Sequence, residues 1–205
     1  PRDVSAHGCL SSAVVIRWQP PLTTNGSVIA RYLLSYTVGG ETTLRPVDSL
    51  MEGYQINNLR PGQEVSDVFL RSESAAGFIG PKSCGEGVGV CASALCEVPD
   101  RPYNLEMCHS ELDAQTYRWV MPSNNGGTEI LEWELAGRKA NGELFEYYMP
   151  HPCSEHTVTG LAVNTVGTML LAVTTRCRNK VGWSLKSEQT NGMCLDGPPP
   201  HPDRM

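Results

Sequence analysis

Hydrophobic and polar side chains alternate along several short stretches of this 205-residue chain. Val14, Ile16 and Trp18 occupy every second position, and Tyr32 and Leu34 begin the same alternation one stretch later. A period of two places one set of side chains on a single face of a β-strand, so each stretch predicts a half-buried strand. No stretch of comparable length carries a helical period. The pattern therefore predicts an all-β protein.

Turn signals separate these predicted strands. Pro20 and Pro21 end the strand that contains Trp18, because proline cannot donate to a ladder, and Asn25-Gly26 tolerates the positive φ of a tight turn. Many short strands between such turns, within about a hundred residues, indicate a β-sandwich. A later alternation predicts a strand with Arg176 and Arg178 on its outer side. Its inward positions are Met169, Leu171, Val173, Thr175 and Cys177.

The pattern occurs twice, about a hundred residues apart. The equivalent positions, first copy before second, are Trp18 and Trp119, Asn25 and Asn125, Tyr32 and Trp133, Tyr54 and His156, and Leu59 and Leu161. A repeat of this length has the size of a domain. The sequence predicts two similar domains over residues 1–97 and 98–195 and a proline-rich linker over 196–205. We expect the chain to be an excerpt of a longer multidomain protein.

Four motifs identify the type of sandwich. They are Trp18-Gln19-Pro20-Pro21 with Trp119-Val120-Met121-Pro122, the aromatic pair Tyr32 and Trp133, the stretch Tyr54 to Gly62, and the stretch Asn179 to Ser184. In these motifs both copies resemble fibronectin type III domains. The resemblance implies two consecutive seven-stranded immunoglobulin-like sandwiches. It also implies a structural core that contains Trp18, Tyr32, Tyr54, Leu59, Trp119, Trp133 and Leu161. The tyrosine that the family places after its Pro-Gly turn is absent from both copies.

Composition and charge narrow the classes of partner. The formal charge is −6, from 22 acidic and 16 basic residues, and no predicted strand carries a basic cluster, so we expect no nucleic-acid partner. No apolar run approaches the roughly 18 to 20 residues of a membrane-spanning helix, so we expect no membrane insertion within this chain. A protein partner of unknown identity remains the expected ligand, with no cofactor.

Each copy contains four cysteines. They are Cys9, Cys84, Cys91 and Cys96 in the first copy, and Cys108, Cys153, Cys177 and Cys194 in the second. Even numbers favour disulfides in an oxidising compartment, and hence an extracellular protein or the ectodomain of a membrane protein. The other interpretation is a cytosolic protein with reduced, buried thiols.

The implied sandwich suggests which cysteines meet. The first strand of each domain ends at the pole where the last strand exits, so the cysteines at those two ends should pair. The predicted bridges are Cys9–Cys96, Cys108–Cys194, Cys153–Cys177 and Cys84–Cys91. Cys91 in place of Cys96 is the main alternative partner for Cys9.

Motifs for catalysis or metal binding are weak. His151, Cys153 and His156 superficially offer zinc ligands, but His156 occupies a core position and no Cys-x-x-Cys partner exists. The glycines at 85, 87 and 89 lack the spacing of a phosphate loop. No nucleophile elbow occurs. We therefore expect neither a catalytic residue nor a metal site, and hence no enzyme.

Six side chains on loops or on the outer sheet face are candidates for partner binding. They are Asn25, Phe78, Asn125, Arg176, Arg178 and Trp183. Asn25-Gly26-Ser27 is also a glycosylation sequon. The stretch from Gly182 to Ser187 resembles half of the Trp-Ser-x-Trp-Ser box of cytokine receptors, in which arginines stack on tryptophan, although Lys186 replaces the second tryptophan.

These features favour a non-catalytic extracellular spacer and protein-interaction module of the adhesion type. Function in such sandwiches depends on loops and exposed strands rather than on the fold. Two alternatives remain: a ligand-binding module like those of cytokine receptors, and an accessory module of a secreted enzyme.

Overall fold

The computed structural model describes residues 1–85, 87, 89–111, 113–139, 141–161 and 170–190. It divides into two units, Pro1–Glu97 and Val98–Met205. The strands of the first unit are β1 (Arg2–Leu10), β2 (Ala13–Gln19), β3 (Ile29–Val38), β4 (Glu41–Asp48), β5 (Gly53–Ile56), β6 (Glu64–Ser74) and β7 (Val90–Ser93). Those of the second are β8 (Tyr103–Ser110), β9 (Gln115–Val120), β10 (Glu132–Lys139), β11 (Leu144–Pro150), β12 (Glu155–Val158) and β13 (Leu170–Arg178).

The first unit is a sandwich of two antiparallel sheets. One sheet has the order β1-β2-β5 and the other the order β4-β3-β6-β7. The inward side chains of both sheets form one core cluster, which includes Trp18, Tyr32, Leu34, Ile56 and Leu70. This arrangement confirms the predicted fold class.

The second unit repeats the same strand order. Its sheets have the orders β12-β9-β8 and β11-β10-β13, and its core cluster includes Trp119, Trp133, Leu135, Val158 and Leu161. Six strands lie within the described part of this unit. The predicted linker over 196–205 and the segment 162–169 lie outside the described residues.

A buried tryptophan on the second strand joins the two sheets of each unit. Trp18 is 1% exposed, and its ring packs edge-on against Tyr32 of the opposite sheet with ring centroids 5.7 Å apart. Its backbone N–H donates to the carbonyl of Glu52 (3.1 Å). Trp119 repeats both contacts, with Trp133 at 5.7 Å and with the carbonyl of Ser154 at 3.0 Å.

The other predicted core residues lie at equivalent places in the two units. Tyr54 is half-buried and packs against the first core, and Leu59 is buried. The N–H of Leu59 donates to the carbonyl of Ser12 (3.0 Å), and the N–H of Leu161 donates to the carbonyl of Asp113 (2.8 Å). The turn after the fifth strand is therefore anchored in the same way in both units.

β-Bulges also recur at equivalent positions. Asp67 in β6 and Ala172 in β13 have φ values of 50° and 51°, each beside a break in register. A bulge inserts one residue and moves the following side chains to the other face. Leu170 and Val173 consequently lie in the core, whereas Leu171 is only half-buried. The expectation that Leu171 faces inward is therefore wrong, and Met169 lies outside the described residues.

In each unit, the chain runs back alongside a strand, β6 in the first unit and β13 in the second. A serine hydroxyl there accepts the hydrogen bond that a backbone carbonyl accepts in a regular ladder. In the first unit Ser83 N–H donates to the Leu70 carbonyl (2.9 Å) and Leu70 N–H donates to Ser83 Oγ (3.1 Å). In the second unit Ser187 N–H donates to the Thr175 carbonyl (2.8 Å) and Thr175 N–H donates to Ser187 Oγ (3.0 Å). The hydroxyl takes the place of a backbone carbonyl, which explains why these segments show no strand alternation.

His156 stands in β12 where Tyr54 stands in β5. It pairs with Tyr117 across the sheet as Tyr54 pairs with Ile16, and its ring lies 4.8 Å from that of Tyr147. Its Nε2 atom is buried and has no hydrogen-bond partner within the described ranges. Burial lowers the pKa of His156 below its ordinary value of 6.5.

Trp18→Ala is expected to lower the free energy of unfolding of the first unit by about 3–5 kcal/mol, because it leaves a cavity between the sheets. Trp18→Phe should cost less, since Trp18 Nε1 has no hydrogen-bond partner among the residues that the structure describes. Urea denaturation followed by NMR signals from each unit measures both effects. Leu44→Ala, at a side chain 63% exposed, is the control. Equal losses for Trp18→Phe and Trp18→Ala would contradict the prediction.

The second unit should lose stability as the pH falls below about 6.5. The unfolded chain protonates His156 near that pH, whereas burial keeps the folded form neutral to a lower pH, so proton binding favours unfolding. The loss levels off below the folded-state pKa. His156→Tyr, which copies Tyr54, should flatten the stability profile of the second unit between about pH 7.5 and 5. An unchanged profile in this variant would assign the pH effect to other groups.

Candidate functional site

The six predicted partner-binding residues fall into three separate places. Asn25 and Phe78 line one pocket on the first unit. Asn125 lines a smaller pocket on the second unit. Arg176, Arg178 and Trp183 form a stack on the outer face of the sheet β11-β10-β13 in the second unit.

The pocket of the first unit lies between the β2–β3 loop and the turn that follows β6. Its volume is about 560 Å³, within the usual range for ligand sites. Its lining residues include Thr23, Thr24, Asn25, Ser72, Phe78 and Lys82. Sequence analysis selected Asn25 and Phe78 separately, and the fold brings them to one concavity.

The β2–β3 loop is held by local hydrogen bonds. Asn25 adopts φ 53° and Gly26 φ 81°, which are left-handed conformations that asparagine and glycine tolerate. Thr23 Oγ1 donates to Asn25 Oδ1 (3.1 Å) and accepts from Asn25 N–H (3.1 Å). Ala75 N–H donates to the Val28 carbonyl (2.9 Å), which ties this loop to the turn opposite.

The turn after β6 presents its apolar side chains outward. Ser74 holds it at both ends, since Ser74 N–H donates to the Phe78 carbonyl (2.9 Å) and Phe78 N–H donates to Ser74 Oγ (3.1 Å). The exposed apolar side chains at this pole are Leu22 (87%), Val28 (76%), Phe78 (77%) and Ile79 (54%). Leu22, Val28 and Ile79 were missed by sequence analysis, because single apolar residues in loops carry no periodic signal.

The chemistry of this pocket suits an apolar side chain with a polar rim. Hydroxyl groups from threonine and serine surround the apolar surfaces, and no carboxylate is among its lining residues. Lys82 is a lining cation, but its Nζ sits 4.4 Å from the centre of the Phe69 ring, so part of its charge already interacts with an aromatic face. The pocket therefore offers apolar surface, hydroxyl groups and the Lys82 side chain to a ligand.

The pocket of the second unit is smaller, and two hydrogen bonds fix residues of its lining. Its volume is about 330 Å³, and its lining includes Asn125, Glu129 and His151. Trp133 Nε1 donates to His151 Nδ1 (3.3 Å), and Asn179 Nδ2 donates to the Asn125 carbonyl (3.0 Å). These bonds hold the His151 side chain and the Asn125 backbone within the unit.

The glycine turns of the two units do not align as the sequence suggested. The residues with left-handed φ are Asn25 and Gly26 in the first unit and Gly126 and Gly127 in the second. The structural equivalent of Asn25 is therefore Gly126, and Asn125 lies one position earlier. Asn125 instead accepts from Gly127 N–H through its side-chain oxygen (3.1 Å).

The stack on the second unit covers a buried carboxylate. The guanidinium carbons of Arg176 and Arg178 lie 4.7 Å and 5.4 Å from the centre of the Trp183 ring. Arg176 also donates to Glu134, which is 1% exposed, and this hydrogen bond raises the pKa of Arg176. Lys186 Nζ lies 3.7 Å from Glu134. These cations are engaged inside the unit, so the stack stabilises the sheet face before any partner arrives.

Six cysteines among the described residues are placed without S–S bonds. Cys9, Cys84, Cys91, Cys108, Cys153 and Cys177 carry free thiols. Cys153 and Cys177 belong to the same core region, and burial raises the pKa of both thiols. Cys96 is half-buried, and Cys194 lies outside the described residues. Since an S–S bond requires oxidation of both thiols, the proposed pairings stay predictions.

The histidines and cysteines do not gather around one point. Within the described ranges, no group of three or more histidine, cysteine, aspartate or glutamate side chains could hold a metal ion. His151 bonds to Trp133, and Cys153 Sγ donates to the Glu155 carbonyl (3.1 Å). In the same part of the chain, no helix is long and apolar enough to span a membrane.

Comparison with known proteins gives distant matches. No family model matches the chain. M-protein of striated muscle from Gallus gallus is 24% identical over 145 residues, which cover 69% of this chain and 10% of that protein. Phosphatidylinositol phosphatase PTPRQ from Rattus norvegicus is 29% identical over 206 residues, which cover 93% of this chain and 8% of that protein. The chain thus spans about a tenth or less of the curated relatives that it matches.

A solved structure of two fibronectin type III domains from chicken tenascin covers 94% of this chain and 97% of its own, at 13% identity and a TM-score of 0.44. The strand order within each unit is an observation independent of that match. In both units, the first, second and fifth strands form one sheet, and the fourth strand lies beside the third in the other. By its fold, this chain is a tandem pair of antiparallel β-sandwiches.

Proposed function

We propose that the chain is a non-catalytic, extracellular spacer and protein-interaction module that binds its partner at one pole of the first domain. One observation carries this proposal: Asn25 and Phe78, from separate loops, line a single pocket of about 560 Å³. Loops on rigid sandwiches commonly carry recognition.

The exposed apolar group around this pocket supports a protein partner. Phe78 is 77% exposed and its neighbour Ile79 is 54% exposed. Large exposed aromatic side chains beside a concavity are typical of interaction sites, where they become buried anchors. The hydroxyl rim would then supply hydrogen bonds to the partner backbone. We infer a partner segment that presents an uncharged apolar side chain to the pocket.

Two features support an extracellular location. Asn25 is exposed and belongs to the sequon Asn25-Gly26-Ser27. The even number of cysteines in each domain fits an oxidising compartment. A reduced, cytosolic protein is the competing hypothesis.

A ligand-binding module like those of cytokine receptors is the second candidate. The observation that favours it is the Trp183 ring beside both Arg176 and Arg178. Ser184 and Ser187 extend the similarity, because their hydroxyls accept from the backbone N–H groups of Cys177 and Thr175 in β13.

Phe78→Ser should remove the binding partner without unfolding the domain, because the Phe78 ring is largely exposed. We propose affinity capture from a cell-surface extract with three baits: the unchanged chain, Phe78→Ser and Leu44→Ser. Leu44 is an exposed apolar residue that does not line the pocket. Proteins retained by the unchanged chain and by Leu44→Ser should fall at least about tenfold with Phe78→Ser, as for an interface anchor. Equal capture by all three baits would exclude this pole as the binding site.

Secretion should produce the predicted bridges. We expect peptide mapping of protein secreted from eukaryotic cells, without reduction, to find Cys153 linked to Cys177 and Cys84 linked to Cys91. It should also find Cys9 linked to Cys96 and Cys108 linked to Cys194. Asn25→Gln should remove a glycan and leave the bridges intact. Alkylation of all eight cysteines in the unreduced, denatured protein would instead favour the cytosolic hypothesis.

A further inference from the structure

The edge strand β11 of the second domain carries backbone groups that point away from its sheet. β11 is the outermost strand in the order β11-β10-β13. His151 N–H, just after β11, donates to the Leu131 carbonyl (3.0 Å), and the Glu143 carbonyl, just before it, accepts from Lys139 N–H (2.7 Å). The odd-numbered residues of this stretch therefore bond inward, because backbone direction alternates along a strand.

The even-numbered residues of β11 consequently direct their N–H and C=O groups outward. These are Leu144, Glu146 and Tyr148, and the described part of the chain supplies no strand on that side. Leu144 is 74% exposed and Tyr148 is 53% exposed. Such an edge is a template for pairing with another strand.

The equivalent edge of the first domain is protected. β4 contains Pro46, which removes a backbone donor from the strand interior. β11 has its only proline, Pro150, at the end of the strand. The contrast makes β11 the edge that is free to pair.

We propose that β11 pairs antiparallel with β11 of a second copy of this chain, with the two Tyr147 residues opposite each other. This register places Glu146 of one copy opposite Tyr148 of the other, in both halves of the contact. It avoids the juxtaposition of two Glu146 carboxylates that a shift of one residue would create. The inward-facing pairs are Phe145 with Met149 and Tyr147 with Tyr147, all apolar or aromatic.

The contact that the proposed register would form between Tyr148 and Glu146 of two chains already exists between these side chains in a single chain. Within one chain, Tyr148 OH donates to Glu146 Oε2 (3.0 Å), and this hydrogen bond raises the pKa of Tyr148. The same phenol and carboxylate would meet across the two-fold axis. The backbone of Glu146 and that of Tyr148 would exchange hydrogen bonds directly, since both point outward. Leu144 N–H would donate to the Pro150 carbonyl of the other copy.

The contact is small, so the proposed dimer is weak and reversible. One strand pair buries less area than a standard stable interface, which is typical of weak, transient association. This inference does not depend on the pocket of the first domain, which lies on another unit.

Amide hydrogen exchange of the unchanged chain tests the pairing directly. Between about 20 µM and 1 mM, the amides of Leu144, Glu146 and Tyr148 should become protected as the dimer forms. The amides of Phe145 and Tyr147 should be protected at every concentration, because they bond to β10. Exchange that is independent of concentration at Glu146 and Tyr148 would overturn the proposal.

Sedimentation of two variants of Glu146 separates the contribution of its backbone N–H to association from that of its side chain. Glu146→Pro removes an outward N–H, which edge strands tolerate, and should weaken association at least about tenfold. Glu146→Thr also removes the carboxylate but keeps the N–H, and should change association less than about threefold. A monomer at 1 mM for the unchanged chain, or equal association of Glu146→Pro and the unchanged chain, would overturn the proposal. If Glu146→Pro fails to fold, the exchange measurement decides alone.

Discussion

The burial of one tryptophan per domain is the constraint on which each sandwich depends. Trp18 and Trp119 lie on the second strand, and each ring reaches an aromatic side chain on the third strand of the facing sheet. The backbone N–H of the same residue bonds to the segment that precedes the fifth strand. One residue therefore sets both the spacing of the sheets and the position of a neighbouring strand. The loops that flank the second strand are placed relative to this tryptophan.

The fold class follows from residues that obey a simple period. Val14, Ile16 and Trp18 alternate as a half-buried strand should, and all three are buried. The β-bulges could not be predicted from the sequence in the same way. Asp67 and Ala172 adopt left-handed φ although neither is glycine, and their conformations depend on the partner strand rather than on local sequence. Alternation thus predicts the strands, whereas pairing decides which residue after a bulge enters the core.

The candidate site was only partly readable from the sequence. Asn25 belongs to a turn motif and Phe78 to an exposed loop, so each could be selected, but their meeting at one pocket depends on the packing of two loops. Glu134 was missed because it stands between two core residues of a strand and looks like an ordinary exposed carboxylate. The structure buries it under Arg176 and Lys186. A long cationic side chain can cover a neighbour on the same sheet face, and no periodic pattern records that.

Two stretches of the chain after β6 attach to β6 at different places. Ser83 holds the first stretch against Leu70, and Val90 resumes regular pairing opposite Val68. Each stretch has its own anchor, so the chain between them can change in length without altering the register of either, at a modest cost in loop entropy. The region between Ser83 and Val90 is therefore a natural place for insertions. A peptide epitope or an additional binding loop could be grafted there while the sandwich keeps its core.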